Sequence, residues 1–86
     1  MTVYLIHFDK PYYHAQHYIG STDNLGQRLH LHHIGRGARL MQVIHNAGIT
    51  WRLARTWPGG RQLERQLKRR HKARELCPIC RAEVSR

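Results

Sequence analysis

Five residues of this chain have types and spacings suited to phosphodiester hydrolysis with one metal ion: Tyr4, Tyr18, Arg28, His32 and Glu64. Tyr18 opens the tripeptide Tyr18-Ile19-Gly20, and Arg28 and His32 follow at i, i+4, on one face of a helix. They border the Leu25–Leu29 stripe, between core and solvent. Glu64 is one of only five acidic residues, set among Arg61, Arg65, Lys68 and Lys72. A hard cation takes oxygen ligands, often one carboxylate completed by waters and substrate phosphate. Glu64 is therefore the candidate ligand for Mg²⁺ or Mn²⁺, and the scarcity of carboxylates argues against a two-metal site. Each residue also has an ordinary structural role. Arg28 and His32 can simply flank a helix, and Glu64 can pair with Lys68 at i, i+4. Tyr4 and Tyr18 can pack as a cross-strand aromatic pair, worth roughly 0.2–1 kcal/mol.

The elements that position these groups follow from periodicity and punctuation. Thr2 to Phe8 reads as a strand, broken by Asp9-Lys10-Pro11. His17 to Gly20 returns as a second strand after a longish loop through Tyr12, Tyr13 and His14. Asn24 is the expected N-cap of a first helix, with Gln27 at the capping-box position, and Gly35-Arg36-Gly37 ends it. Leu40, Val43, Ile44 and Ala47 mark a second helix, which Gly48 closes. Thr50 to Trp57 reads as a third strand. A third helix is predicted from Gly60 to about Leu76, stopped by Pro78. Residues 77–86 form a short, loosely ordered tail after a 1–76 domain. The order β-β-α-α-β-α predicts an α+β fold, a small three-stranded antiparallel sheet flanked by helices. Strand order is not legible from periodicity.

With 86 residues the chain is expected to form one domain with a thin core. Its formal net charge is +10, with fifteen Lys+Arg against five Asp+Glu. Arginine supplies most of that charge, and its planar fork matches phosphate. A polyanion, with DNA foremost, is the expected partner. No basic segment also carries a bulky apolar face, so a membrane is not expected. No apolar run has spanning length, and no signal peptide is visible. The closely spaced Cys77 and Cys80 suit a reducing, cytoplasmic setting.

Thr2-Val3-Tyr4 and Tyr18-Ile19-Gly20, followed by Ser21-Thr22, Leu25, Arg28 and His32-His33-Ile34-Gly35, resemble the GIY-YIG nuclease superfamily. Thr2-Val3 stands where the family name has Gly-Ile. Gly35-Arg36-Gly37-Ala38-Arg39 resembles the glycine-rich basic segment of its small stand-alone members. Glu64 falls where the family has its metal-binding glutamate. The resemblance covers about residues 2 to 76. It implies a metal-dependent endonuclease that cleaves DNA by nicking or double-strand scission, with a single Mg²⁺ or Mn²⁺ held by Glu64. Tyr4 or Tyr18 would be the general base, with Tyr4 preferred. Arg28 would stabilise charge on the transferring phosphate, and His32 would hydrogen-bond the phosphate or the water. Arg36, Arg39, Arg61, Arg65, Lys68 and Lys72 are the expected DNA contacts. The alternatives are a catalytically inactive nucleic-acid-binding module of the same fold, and a domain that docks an acidic protein.

Cys77-Pro78-Ile79-Cys80 is half of a zinc site. His71 is close enough to be a third ligand, but no fourth is evident. A site shared across a homodimer, or two unused cysteines, is the expectation. The remaining histidines (His7, His14, His17, His30, His33 and His45) look too scattered for a second metal site, and His14 and His17 are candidates for gripping phosphate. No helix-turn-helix or complete zinc finger is present to read bases. Base recognition is therefore expected to be weak, or supplied by a second copy or a separate partner.

Overall fold

A computed structural model describes residues 1–70 and 73–84 of the chain. The expected His71 ligand and the expected DNA contact Lys72 lie outside the described residues. The fold is α+β. A three-stranded antiparallel sheet has the order β2-β1-β3, built from β1 (Thr2–Tyr12), β2 (Ala15–Thr22) and β3 (Trp51–Pro58). The helices are α1 (Leu25–His33), α2 (Arg39–Asn46), α3 (Arg61–Arg69), α4 (Ala73–Leu76) and α5 (Pro78–Val84). No described helix is long and apolar enough to cross a membrane.

β1 is central, and its residues Val3 to Phe8 are all buried. Such a continuous run marks a strand covered on both faces. Because side chains alternate along a strand, Val3 and Leu5 join a cluster with Ile19, Leu67, Cys77 and Cys80, under α3, α4 and α5. Tyr4, Ile6 and Phe8 join Met41 and Ile44 on the opposite face, under α1 and α2.

β1 runs on through Asp9-Lys10-Pro11, which sequence alone reads as a break. The proline costs no ladder bond there. Pairing with β3 ends at Phe8, and pairing with β2 is interrupted between His7 and Tyr12. The hairpin loop is thus only Tyr13-His14, with Tyr13 at φ 55°.

Asn24 caps α1 as expected, its Oδ1 accepting from the Gln27 N–H at 3.1 Å. Leu25 and Leu29 are partly buried against the core, and the stripe continues at i+7 to His32, which is fully buried. His32 therefore stands in the core rather than at its border. In α2 the buried positions are Met41 and Ile44, and Ala47 is exposed. That face is rotated from the Leu40–Ala47 stripe.

The predicted long third helix is interrupted: α3 ends at Arg69 and α4 covers only Ala73–Leu76. Pro78 begins α5 instead of ending order. Its missing N–H is harmless at a first helical position, where no intrahelical partner exists. Among the described residues, the segment from Cys77 to Val84 is consequently not a loose tail, and Cys77 and Cys80 are core residues.

Candidate active site

The hairpin register brings the first candidates together. Tyr4 pairs with Gly20 and Ile6 with Tyr18, so Tyr4 and Tyr18 are diagonal neighbours on the α1 face. Their ring centroids are 6.1 Å apart. His32 closes the group at 5.8 Å from Tyr4 and 5.6 Å from Tyr18. Two glycines make room for it. A Cβ on Gly20 would stand 2.6 Å from the Tyr4 hydroxyl, and one on Gly37 would stand 3.0 Å from His32 Nδ1 and 3.4 Å from Arg28 Cδ.

The hydrogen bonds define the proton positions. His32 Nδ1 lies 3.1 Å from the Arg36 carbonyl, which can only accept, so Nδ1 carries the proton. Nε2 is then the acceptor, and the Tyr4 hydroxyl donates to it at 2.8 Å. Burial holds the His32 pKa below the usual histidine value; the Arg36 carbonyl opposes this, and the Arg28 and His33 charges add to it. The imidazole is therefore neutral at neutral pH, with both nitrogens engaged. Burial also drives the Tyr4 phenol well above the usual tyrosine value. Tyr18 raises it further, and the Arg28 charge and hydrogen bond pull only partly in the opposite direction. Tyr4 is thus a buried, protonated phenol. Tyr18 is half-buried and faces an open groove lined also by His14, Lys68 and Arg74.

Glu64 approaches from the other face. Leu67 and Leu63 pack α3 on the Val3–Leu5–Ile19 side of the sheet, leaving Glu64 at the rim. Its Oε1 accepts from the Ser21 hydroxyl at 2.5 Å and its Oε2 from Lys68 Nζ at 2.8 Å. Lys68 Nζ also lies 5.8 Å from the Tyr18 ring centroid. Partial burial raises the Glu64 pKa, but the Lys68 and Ser21 hydrogen bonds and the Lys68 and Arg61 charges outweigh it. The net value lies below the usual glutamate range. Ser21, Asp23, Arg28 and Arg61 line one concavity with Met1, Thr22, Asn24 and Gln27.

Tyr18 and Lys68 line one groove beside β2, and Arg28 lines a second concavity at the Ser21–Thr22 end of that strand. Glu64 is tied to the first through Lys68 and to the second through Ser21. No protein-family model, no curated protein and no solved structure matches this chain. Its functional reading rests on these groups and their chemistry.

An ionised carboxylate at a rim, beside a hydroxyl and a concavity that holds Arg28, Arg61 and Asp23, suits a hard cation that also binds phosphate. The Lys68 pair now on Glu64 is the ordinary i, i+4 partnership, worth about 0.3–0.5 kcal/mol when exposed. A cation with a bound phosphate can displace it. Among the expected DNA contacts, Arg36, Arg39, Arg61, Arg65 and Lys68 are all exposed.

Sequence reasoning missed Ser21 as a partner of Glu64, and it missed His7 and His17. These two histidines pair directly across the hairpin, and their ligating atoms lie with Cys77 and Cys80 in one cluster. Cys80 Sγ is 3.2 Å from His17 Nε2, and His17 also lines the open groove beside His14 and Lys68. Only the hairpin register reveals the pairing, and a loop of unstated length leaves that register open.

Proposed function

We propose that this chain is a divalent-metal-dependent endonuclease hydrolysing DNA phosphodiester bonds by a single-metal mechanism. The observation that carries the reading is the chain of contacts along β2: Lys68 lies over the Tyr18 ring and pairs with Glu64, Ser21 donates to Glu64, and the Tyr4–His32 hydrogen bond supports Tyr18 from beneath. The exposed cations nearby suit the substrate's charge.

In this reading Tyr18, the reachable phenol, is the base that accepts the proton of the attacking water. Arg28 holds the phosphate oxygens as charge develops on them. His32 is a positioning residue, because its nitrogens are spent on Tyr4 and Arg36. Tyr4 in turn sets the place of Arg28 and Tyr18. Glu64 would hold Mg²⁺ or Mn²⁺, which when bound supplies Lewis-acid neutralisation at the phosphate. The Cys/His cluster does not suit this ion, since its donors are soft.

The test is incubation with supercoiled plasmid in Mg²⁺, in Mn²⁺ and without metal. Cleavage that needs the metal and vanishes in Glu64→Ala, with DNA affinity equal or higher in the variant, is expected. Binding without cleavage in either metal would instead favour the inactive binding module. Failure to bind DNA at all would favour docking to an acidic protein. A Glu64→Ala variant cutting at the wild-type rate would leave only the Lys68 ion pair as the residue's role.

A further inference from the structure

On the opposite face from Tyr4, the hairpin and α5 bring together four groups that the proposed hydrolysis does not use. His7 Nδ1 lies 3.4 Å from His17 Nε2, 3.5 Å from Cys77 Sγ and 3.4 Å from Cys80 Sγ. Cys80 Sγ lies 3.2 Å from His17 Nε2, and all four atoms are within 4.8 Å of one another. We propose that these atoms form a closed Zn²⁺ site that fastens α4 and α5 to the β1–β2 hairpin.

The dimensions suit that ion. Tetrahedral zinc with Zn–N of about 2.05 Å and Zn–S of about 2.3 Å needs N···N near ~3.35 Å and N···S near ~3.55 Å. Four of the six edges fall at or close to those values, and the other two, from Cys77 Sγ to His17 Nε2 and to Cys80 Sγ, are within 4.8 Å. The chemistry suits it too. Two thiolates and two imidazoles are the donors that select zinc over Mg²⁺ or Ca²⁺. Binding Zn²⁺ to two thiols releases two protons and leaves a site of zero net charge. A neutral site is compatible with its surroundings, because His7 is 2% exposed, Cys77 0% and Cys80 4%, among Val3, Leu5, Ile19 and Leu67. Four protein ligands leave no position for water, so the site is structural rather than catalytic.

Local structure explains the convergence. His7 and His17 stand directly opposite on antiparallel strands. Cys77 precedes α5 and Cys80 lies within its first turn, so both sulfurs face the sheet. The ligands are far apart along the chain, with Cys77 seventy positions from His7. One ion would therefore join the two ends of the sequence. This is valuable in a small domain with a thin core. Glu64 is not among the four zinc ligands.

The test uses the full chain under reducing conditions, with bound zinc measured by elemental analysis and coordination measured by Co²⁺ substitution. One zinc per chain is expected. The Co²⁺ form is expected to show the intense visible bands of a tetrahedral ion with thiolate ligands. Stripping the zinc should lower the melting midpoint by roughly 10 °C or more, the size expected when a few kcal/mol are lost from a small domain. Cys77→Ser/Cys80→Ser and His17→Ala should lose stoichiometric zinc, and His14→Ala should keep it. Three results would overturn the proposal: a reduced wild-type chain that binds no Zn²⁺ when titrated, a weak octahedral Co²⁺ spectrum, or full zinc retention in the double cysteine variant. The first two measurements use the wild-type chain, so they hold even where a variant fails to fold.

Discussion

Tyr4 and Tyr18 are the same residue type on paired strands, yet their environments divide their roles. Tyr4 is fully buried and donates a hydrogen bond to His32, whereas Tyr18 meets solvent and Lys68. Replacing tyrosine with phenylalanine keeps ring packing and removes only the hydroxyl. Tyr18→Phe should cost roughly 10²-fold or more in cleavage rate, the scale of a lost general base, with little change in melting temperature. Tyr4→Phe should show the reverse emphasis. It removes the hydroxyl bonded to His32 Nε2 and should cost about 1–3 kcal/mol in a denaturant titration, the penalty for a buried orphan acceptor. Equal kinetic losses in the two variants would contradict this division. His32 adds a pH signature. Its folded pKa lies below the 6.5 of a free imidazole, so the folded state binds fewer protons. Its contribution to stability is complete above that value and declines as pH falls through the depressed folded pKa. Denaturant titrations between pH 7 and 5 should show a shallower acid loss in His32→Gln than in the wild type, since the variant has no imidazole to protonate.

At the level of elements, β2 is the piece on which everything depends. Its Tyr18 and Gly20 face α1, and its His17 and Ser21 face the α3–α5 layer. One strand thus serves the candidate active site on both flanks and the zinc site on one. Gly20 is where the packing leaves least room. An added Cβ would meet the Tyr4 hydroxyl at 2.6 Å and a Tyr18 ring carbon at 2.9 Å. Gly20→Ala should therefore destabilise the domain by about 1–3 kcal/mol, the usual cost of overpacking, and displace both tyrosines. A variant with wild-type melting and wild-type cleavage would show that the hairpin can shift at no cost.

For the whole molecule, charge is the controlling quantity. A net charge of +10 on 86 residues creates a long-range field that attracts polyanions. The described candidate contacts are Arg36, Arg39, Arg61, Arg65 and Lys68. Each phosphate neutralised contributes about −0.9 to the slope of log affinity against log salt on duplex DNA. A slope of about −4 to −5 is expected by fluorescence anisotropy if all five engage. A slope near zero would remove the polyanion as partner.

Much of this architecture was legible along the chain, because the information was local. The Asn24 cap, a third strand after Gly48 and the α+β class follow from short-range periodicity and capping chemistry, and the structure contains them, with the strand at Trp51–Pro58. Tyr4, Tyr18, Arg28, His32 and Glu64 could be singled out from type and spacing alone. What they do to one another could not. His32 sits in the core because α1 continues its buried stripe to that position, and only packing against Tyr4 makes it neutral and fully bonded. Glu64 reaches the tyrosine edge by way of Ser21 and Lys68, a relation between α3 and β2 that no local pattern contains. Cys77 and Cys80 read as half a site because their partners lie 60 or more positions away in sequence. A hairpin slipped by one residue would have turned His17 to the other face, so register alone decided that the four ligands meet.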